Sequence, residues 1–262
     1  MKKSVGIVLS LILVLVLSAC GTNESGNSSS RSSSTFDAIK KKGEITIAVD
    51  DTYPPMEFRN DKNELVGLNI DLAKAIGKKL GVKVKHIPTA WDGIIPGLNT
   101  KKYDIIMSSM NITDERKKQV DFVKYLDFGQ VIVTKKGNPL KIQKQGDLKN
   151  KTVGVQIGTT SETAAKEIGI KKIKTYNGFT DAFNDMGAGR LDAIVVGEMV
   201  GRYYVKNQPK SFEIIGDSFQ KLPVGIAVRK TDKSLSAALA KAVKELKDDG
   251  TFTKAEAKWF GE

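Results

Sequence analysis

The chain contains the stretch Tyr103-Asp-Ile-Ile-Met107, followed directly by Ser108-Ser-Met-Asn-Ile-Thr-Asp-Glu-Arg116. The first segment has the apolar character of a short buried strand, and the charged residues that close the second are typical of a helical turn. The polar residues between them are therefore expected at the carboxyl end of a strand, where open α/β sheets bind their ligands. This stretch predicts both the fold class and the place of a site.

The polar side chains at this strand end suit an anionic ligand. Ser108, Ser109 and Asn111 offer small polar groups, and Thr113 can cap the helix that follows. Arg116 can then turn its guanidinium group back towards the strand end, and its planar fork of donors fits a carboxylate. A solvated helix start with an ordinary surface arginine fits the same spacing equally well.

Composition narrows the function classes. The 262 residues are 40% apolar and 27% charged, a profile typical of a soluble protein of one large or two smaller domains. The net charge is +12, but the lysines are scattered and form no basic block with interleaved aromatics, so we expect no nucleic-acid partner. One cysteine and one histidine, far apart, predict no disulfide, no metal site and no cofactor.

The N-terminal sequence predicts an export signal followed by a lipid anchor. Two lysines precede the apolar run Val5–Leu17, which is too short to span a bilayer, and residues 1–19 are predicted to be a signal peptide. The segment Leu17-Ser-Ala-Cys20 resembles a bacterial lipobox, in which the cysteine is diacylated; a plain secretory signal is the alternative. Residues 20–35 are rich in serine and predict a flexible tether. We therefore expect a lipid anchor at Cys20 and a body on the extracytoplasmic face of the cell membrane.

The remaining residues form two predicted α/β sets, which suggest two lobes that face one another across a pocket. In the first set, strands are predicted at 44–50, 82–87, 103–107 and 120–124, with helical segments at 67–80, 91–98 and 115–119. A further strand is predicted at 130–135, before a break at 136–139. In the second set, strands are predicted at 152–157, 172–176, 190–196, 212–215 and 224–229, with helices at 158–168, 179–186, 198–206, 231–247 and 254–260.

Further polar or aromatic residues follow other predicted strands. Two prolines stiffen the loop after the first strand and hold Asp50 and Tyr53 there, and Trp91 precedes a short helix. For both aromatic side chains, core packing remains an alternative. In the second set, Gly158-Thr-Thr-Ser161 opens a helix and offers free backbone N–H groups to an anion, without the lysine of a phosphate loop.

Seven segments in this order resemble family 3 solute-binding proteins, the amino-acid-binding components of bacterial ABC importers. The resemblance covers residues 36–262, and the segments are 50–58, 65–72, 91–98, 108–116, 153–160, 189–193 and 247–251. It implies an α/β, two-lobed periplasmic-binding-protein-like fold of type II with a hinge between the lobes. Lobe one would comprise residues 36–128 and 223–262, and lobe two residues 129–222, with crossings near 128–129 and 221–223.

The resemblance also implies a monomeric, non-enzymatic protein that delivers a free amino acid to a permease and ATPase complex. Arg116 would bind the α-carboxylate, helped by N–H groups at 158–160 and at Asn111, and the Ser109 carbonyl with the Asn111 side chain would meet the α-ammonium group. Tyr53 and Trp91 would wall the pocket. The residues expected to bind the ligand are Asp50, Tyr53, Trp91, Ser108, Ser109, Asn111, Arg116, Gln156, Gly158, Thr159, Thr160 and Glu198.

One departure affects the expected ligand. Where many family members carry an ammonium-binding aspartate, this chain has Gly197 followed by Glu198. Glu198 could substitute, Asp50 or Asp51 could neutralise the amine, the ligand could have an unusual amine end, or Glu198 could simply begin a helix. The acidic residues favour a polar or basic ligand such as arginine, lysine or histidine, with glutamine and cystine open.

Two other functions are compatible with the same scaffold. A dehydratase resembling cyclohexadienyl dehydratases would need a general acid or base, for which Glu198 is the candidate. A sensory binding module would need a separate signalling partner, because no such domain follows in the sequence.

Overall fold

The structure, a computed structural model, describes residues 34–261. The predicted signal peptide, Cys20 and most of the predicted tether lie outside the described residues. Within residues 34–261, no helix combines the length and apolar character needed to cross a membrane. The helices are α1 (Thr35–Lys42), α2 (Leu68–Leu80), α3 (Ile94–Asn99), α4 (Asp114–Gln119), α5 (Thr160–Ile168), α6 (Phe179–Gly187), α7 (Glu198–Asn207), α8 (Lys233–Asp248) and α9 (Thr251–Phe260).

The strands form one large and one small sheet. They are β1 (Glu44–Val49), β2 (Thr52–Tyr53), β3 (Glu57–Arg59), β4 (Leu65–Val66), β5 (Lys83–Pro88), β6 (Ile105–Ile106), β7 (Asp121–Lys135), β8 (Thr152–Gln156), β9 (Lys172–Tyr176), β10 (Ala193–Gly197) and β11 (Phe212–Val228). The large sheet has the order β5-β1-β6-β11-β7-β10-β8-β9, and β2, β3 and β4 form the small one. Parallel strands lie at both ends of the large sheet, so the alternation of strands and helices predicted from the sequence is confirmed.

Strands β7 and β11 are longer than the sequence predicts. The separate strands expected at 120–124 and 130–135, and at 212–215 and 224–229, are each part of one continuous strand. The two long strands pair antiparallel, with register irregularities in β11. Between the two predicted segments of β11, Phe219 pairs with Gln130 and Leu222 pairs with Phe128. Residues 216–221 show no apolar alternation and therefore gave no strand signal.

The two predicted crossings between the lobes lie side by side, because Phe128 pairs with Leu222. At Gly129 the backbones approach closely. A Cβ atom there would lie 2.3 Å from the Ser218 hydroxyl oxygen and 2.6 Å from the Phe219 carbonyl oxygen. Only glycine fits this crossing without a shift of the neighbouring strand.

Buried apolar side chains form four clusters, which fall into two groups along the chain. The buried members of two clusters come from residues 39–128 and 224–252, and those of the other two come from residues 131–212. We call the halves of the molecule built on these groups lobe one and lobe two. Helices α8 and α9 pack on α2, which returns the end of the chain to lobe one. The residue boundaries given above for the lobes stay a prediction.

Helix α1 begins inside the segment predicted to be a tether. The Asp37 N–H donates to the Ser34 hydroxyl at 3.2 Å, and the Ser34 N–H donates to the Asp37 carboxylate at 3.1 Å. The Thr35 hydroxyl donates to Asp232 at 2.7 Å. The tether prediction is therefore wrong for Ser34 and Thr35, because their polar groups cap a helix and bind the folded body.

The single histidine lies in the edge strand β5. His86 is half-buried, and its Nε2 atom is buried without a hydrogen-bond partner among the described residues. Burial, together with the positive charge of Lys74, lowers the pKa of His86 to about 4. The folded protein therefore holds this imidazole in its neutral form at pH values where the unfolded chain would protonate it.

We expect His86→Gln to make the protein less sensitive to acid. An unfolded histidine takes up a proton near pH 6.5, so the stability that the neutral ring confers is complete above pH 6.5 and is lost as the pH falls towards 4. The loss should not exceed about 3 kcal/mol, and exposure of the ring reduces it. The free energy of unfolding in urea, measured at several pH values between 7.5 and 4, gives this loss of stability. Lys85→Gln, at the exposed neighbouring position, is the control. Equal pH slopes for wild type and His86→Gln would contradict the burial of the ring.

Candidate functional site

A small cavity of about 20 Å³ lies between the lobes, close to the carboxyl ends of β1, β6 and β8. This volume is roughly that of a single water-sized sphere. Most of the binding residues predicted from the sequence border it. Arg116, Gly158 and Glu198 are not among the lining residues, although Arg116 and Gly158 contact the lining residue Trp91. The cavity is lined by Asp50, Tyr53, Glu57, Trp91, Ser108, Ser109, Asn111, Gln156, Thr159, Thr160 and Ser161.

Arg116 carries a positive charge for which residues 34–261 provide no acidic ion-pair partner. Thr113 caps α4 as predicted, by accepting the Arg116 N–H at 3.2 Å. The guanidinium group donates from Nη1 to the Asn111 carbonyl at 2.9 Å and from Nη2 to the Gly158 carbonyl at 3.2 Å, and it stacks 5.2 Å from the centre of the Trp91 ring. Burial lowers the pKa of Arg116 to about 10, so it stays protonated at neutral pH. The described arginines that form ion pairs are Arg59, Arg190, Arg202 and Arg229.

The start of α5 meets Arg116 through a carbonyl group. The Gly158 N–H donates to the Glu162 carboxylate at 2.7 Å, so the prediction of a free N–H at this residue is wrong: an acidic side chain four residues on folds back over it. The Gly158 carbonyl oxygen accepts the Trp91 indole N–H at 3.0 Å as well as Arg116. Thr159 caps the helix by accepting the Glu162 N–H at 3.3 Å.

Asp50 is 4% exposed at the end of β1. One carboxylate oxygen accepts the Thr52 N–H at 3.1 Å and the Thr52 hydroxyl at 2.7 Å. The other accepts the side-chain amide of Gln156, which belongs to lobe two and also donates to the Asn177 carbonyl at 2.8 Å. Burial raises the pKa of Asp50, although these hydrogen bonds oppose the rise. The contact between Asp50 and Gln156 joins the lobes across the cavity.

A second polar contact across the lobes leaves one donor unused. The Thr160 hydroxyl donates to Asn111 Oδ1 at 2.8 Å, while the Asn111 side-chain NH2 group is buried and has no partner among the described residues. Gln130 donates to the Thr160 hydroxyl at 3.1 Å and accepts the Ser161 hydroxyl at 2.6 Å. The sequence placed Ser161 at the start of this helix but did not assign it to the site, and it missed Gln130, for which a lone glutamine opening an apolar strand was the available signal.

Tyr53 fills the space beside Gly197. Its ring lies 5.8 Å from the ring of Phe179 in lobe two. A Cβ atom at Gly197 would lie 2.2 Å from the Tyr53 hydroxyl oxygen. No side chain fits at position 197 while the lobes are arranged in this way, and burial raises the pKa of Tyr53 so that the phenol stays neutral. Glycine at this position is thus matched to the tyrosine opposite it.

Glu198 does not reach the cavity. As the first residue of α7 it accepts two hydrogen bonds from Arg202, at 2.9 and 2.7 Å. Burial alone would raise the pKa of Glu198, but hydrogen bonds from Arg202 and Ser218 bring it below its ordinary value. The expectation that Glu198 faces the ligand therefore finds no support, because the arginine one turn further on holds it at the helix start.

Glu57, which the sequence interpretation did not single out, borders the cavity with 0% exposure. It accepts the Ser108 hydroxyl at 2.9 Å and the Asn69 amide at 2.5 Å, and burial raises its pKa well above the ordinary value. The signal in the sequence was a lone acidic residue between Met56 and Phe58. Among residues 34–261, no group of three or more acidic, histidine or cysteine side chains could hold a metal ion.

Comparisons with known proteins agree with this geometry. The sequence model of the bacterial extracellular solute-binding proteins, family 3, matches residues 45–262. The L-cystine-binding protein TcyJ of Escherichia coli (strain K12) is 34% identical over 225 residues, 85% of each chain. The arginine-binding extracellular protein ArtP of Bacillus subtilis (strain 168) is 33% identical over 266 residues, which cover 99% of this chain and 98% of that protein.

Solved structures show the same architecture. An ancestral arginine-binding protein bound to arginine superimposes with a TM-score of 0.79 at 47% identity and covers 84% of this chain and 99% of its own. The expected two-lobed periplasmic-binding-protein-like fold is thereby confirmed. Because the match extends over most of its length, the chain belongs to the bacterial extracellular solute-binding proteins, family 3.

Proposed function

We propose that this protein captures a basic amino acid, with L-arginine as the first candidate, and delivers it to an ABC importer. The observation that carries the proposal is a pair of charges beside one cavity. Asp50 lines the cavity as a buried carboxylate, and Arg116, which has no acidic partner among the described residues, contacts the lining residues Asn111 and Trp91. A zwitterionic ligand with a cationic side chain matches both. The arginine-binding relative and the arginine-bound ancestral protein support the same ligand.

Arg116 would bind the α-carboxylate of the ligand. Its two carbonyl partners leave the positive charge unneutralised, and a carboxylate makes stronger, charge-assisted hydrogen bonds to the same fork of donors. The unused NH2 group of Asn111 offers a further donor at the same wall of the cavity. Stacking on Trp91 keeps the guanidinium plane in place.

Asp50 would receive the cationic end of the ligand side chain. A cation close to this buried carboxylate stabilises its ionised form more strongly than the neutral amide of Gln156 does. A polar uncharged ligand is the second candidate. The amide of Gln156 already shows that Asp50 can bind a side-chain amide, and the cystine-binding relative belongs to the same family.

Ligand entry requires that the lobes separate. The cavity of about 20 Å³ is far smaller than the pockets of about 300 Å³ or more that enclose small molecules. Separation would break the contacts of Gln156 with Asp50 and of Gly158 with Trp91 and Arg116. The antiparallel strands β7 and β11 cross between the lobes and would carry the hinge.

The proposal includes the position of the protein in the cell. Cys20 would carry the lipid anchor, residues 21–33 would form the tether, and the permease and ATPase of the importer would be the partners. A dehydratase on this scaffold is less well supported. Its candidate acid, Glu198, is paired with Arg202 away from the cavity, and the close relatives are binding proteins.

Isothermal titration of a refolded, ligand-free sample against the twenty amino acids and cystine tests the proposed function. We expect L-arginine to bind most tightly, with lysine and histidine weaker. If none of these ligands binds with a dissociation constant below about 1 mM, the proposal is wrong. Incubation with prephenate or arogenate should show no turnover.

Arg116→Ala should weaken arginine binding by roughly 2–5 kcal/mol, because the α-carboxylate of the ligand would lose its charged partner in the complex. Titration calorimetry at constant salt measures the change. Arg202→Ala is the matched control, since it removes an arginine that pairs with Glu198 outside the cavity, and it should leave the affinity within about threefold. An unchanged dissociation constant in Arg116→Ala would remove this residue from the site.

Two neighbouring aspartates allow a sharp test of side-chain selectivity. Asp50→Asn should weaken arginine about 10- to 100-fold and affect glutamine much less, because only arginine brings a cation to this carboxylate. Asp51→Asn, whose wild-type carboxylate pairs with Arg59 at 2.7 Å, should keep the preference for arginine. Parallel losses for arginine and glutamine in Asp50→Asn would show that this residue supports the fold of the site and does not select its ligand.

A further inference from the structure

We propose that Glu57 supplies the negative charge that receives the α-ammonium group of the bound amino acid, an inference that rests on the proposed function. Its carboxylate would act at the strand end formed by Ser108 and Ser109. The role is a specificity role: it would select ligands that carry a free α-amino group.

The charges of a basic amino acid require such a group. The ligand carries two positive charges and one negative charge. Arg116 matches the carboxylate and Asp50 matches the side-chain cation, so the α-ammonium group remains without a counter-charge. Burial of an unpaired ammonium group is strongly unfavourable, and a second carboxylate at the cavity removes this cost.

Among the described residues, the carboxylates that border the cavity are those of Asp50 and Glu57. Asp51 is paired with Arg59 and lines the outer groove between the lobes. Glu198 is held by Arg202. Position 197 carries no side chain, and the Tyr53 hydroxyl occupies the space beside it. Elimination therefore leaves Glu57 for the ammonium group.

The Ser108 hydroxyl connects the Glu57 carboxylate with the backbone of Asp50. The Ser108 hydroxyl accepts the Asp50 N–H at 2.9 Å and donates to Glu57 at 2.9 Å. The Asn69 amide donates to Glu57 and also to the Ser109 hydroxyl, at 2.5 and 2.9 Å. These bonds fix the carboxylate directly behind both serines.

The backbone at Ser109 is an independent sign of a ligand site. Its φ angle is +53°, in the left-handed region that a serine rarely adopts. Such strain persists where the surroundings hold it in place and is concentrated at binding sites. At Ser109, the hydrogen bond from the Asn69 amide holds the side chain in place, and the residue borders the cavity.

The titratable groups around Glu57 favour the arrival of a cation. They are Asp50 at the end of β1, Tyr53 in β2 and Tyr125 in β7, which acts on Glu57 through Asn69. None of them is basic. Burial, with the negative charge of Asp50, raises the pKa of Glu57, so an incoming ammonium group would displace a proton from it.

Two ligands that differ only in the α-amino group test the inference: L-arginine and 5-guanidinopentanoate. Calorimetry on wild type and Glu57→Gln should show arginine weakened about 10- to 100-fold in the variant, and 5-guanidinopentanoate changed by less than threefold. Glu64→Gln, at an exposed position directly before β4 of the same small sheet, is the control and should change neither affinity. Equal weakening of both ligands, or no weakening of arginine, would overturn the inference.

Wild-type protein alone provides a second test should Glu57→Gln fail to fold. Arginine should bind at least tenfold more tightly than 5-guanidinopentanoate, and titrations in buffers of different ionisation enthalpy should show more protons released by arginine. Equal affinities, or equal proton counts, would overturn the role of Glu57. Failure of arginine to bind at all would instead refute the proposed function, and the inference with it.

Discussion

The half-buried guanidinium group of Arg116, which has no carboxylate partner among residues 34–261, is the feature on which the rest of the site depends. The Thr113 cap starts α4, the helix carries Arg116 back towards the strand end, and two carbonyl groups and the Trp91 ring hold its plane. One of those carbonyl groups, at Gly158, belongs to lobe two. In the proposed function the same side chain would bind the ligand carboxylate and also contact lobe two, which would couple ligand binding to closure of the lobes.

Closure also depends on shape. Tyr53 of lobe one fits against Gly197 of lobe two only because position 197 has no Cβ atom, and the Gln156 amide meets Asp50 across the same gap. The residue types at these contacts limit which ligands fit between the lobes. A carboxylate at position 197 would collide with the Tyr53 hydroxyl. In the proposed binding mode the positive charges of the ligand would therefore meet lobe-one residues, Asp50 and Glu57.

Much of this arrangement could be predicted from the sequence, because strand ends and helix starts depend on local patterns. The segment 108–116, the Asp50 loop and the Gly158 helix start all lie where predicted. Three features could not be predicted, because each depends on hydrogen bonds that compete with the predicted role. They are the continuous β11, the fold-back of Glu162 onto Gly158 and the pairing of Glu198 with Arg202. Glu57 was missed because its burial depends on Asn69 and Ser108, which come from other parts of the chain.

The most direct measurement is a crystal structure of the protein with bound L-arginine. We predict that the α-carboxylate accepts two hydrogen bonds from the Arg116 guanidinium within about 3.2 Å, and that the ligand guanidinium group lies against Asp50. A ligand bound in the reverse orientation, or a carboxylate that contacts neither Arg116 nor the Asn111 amide, would contradict it.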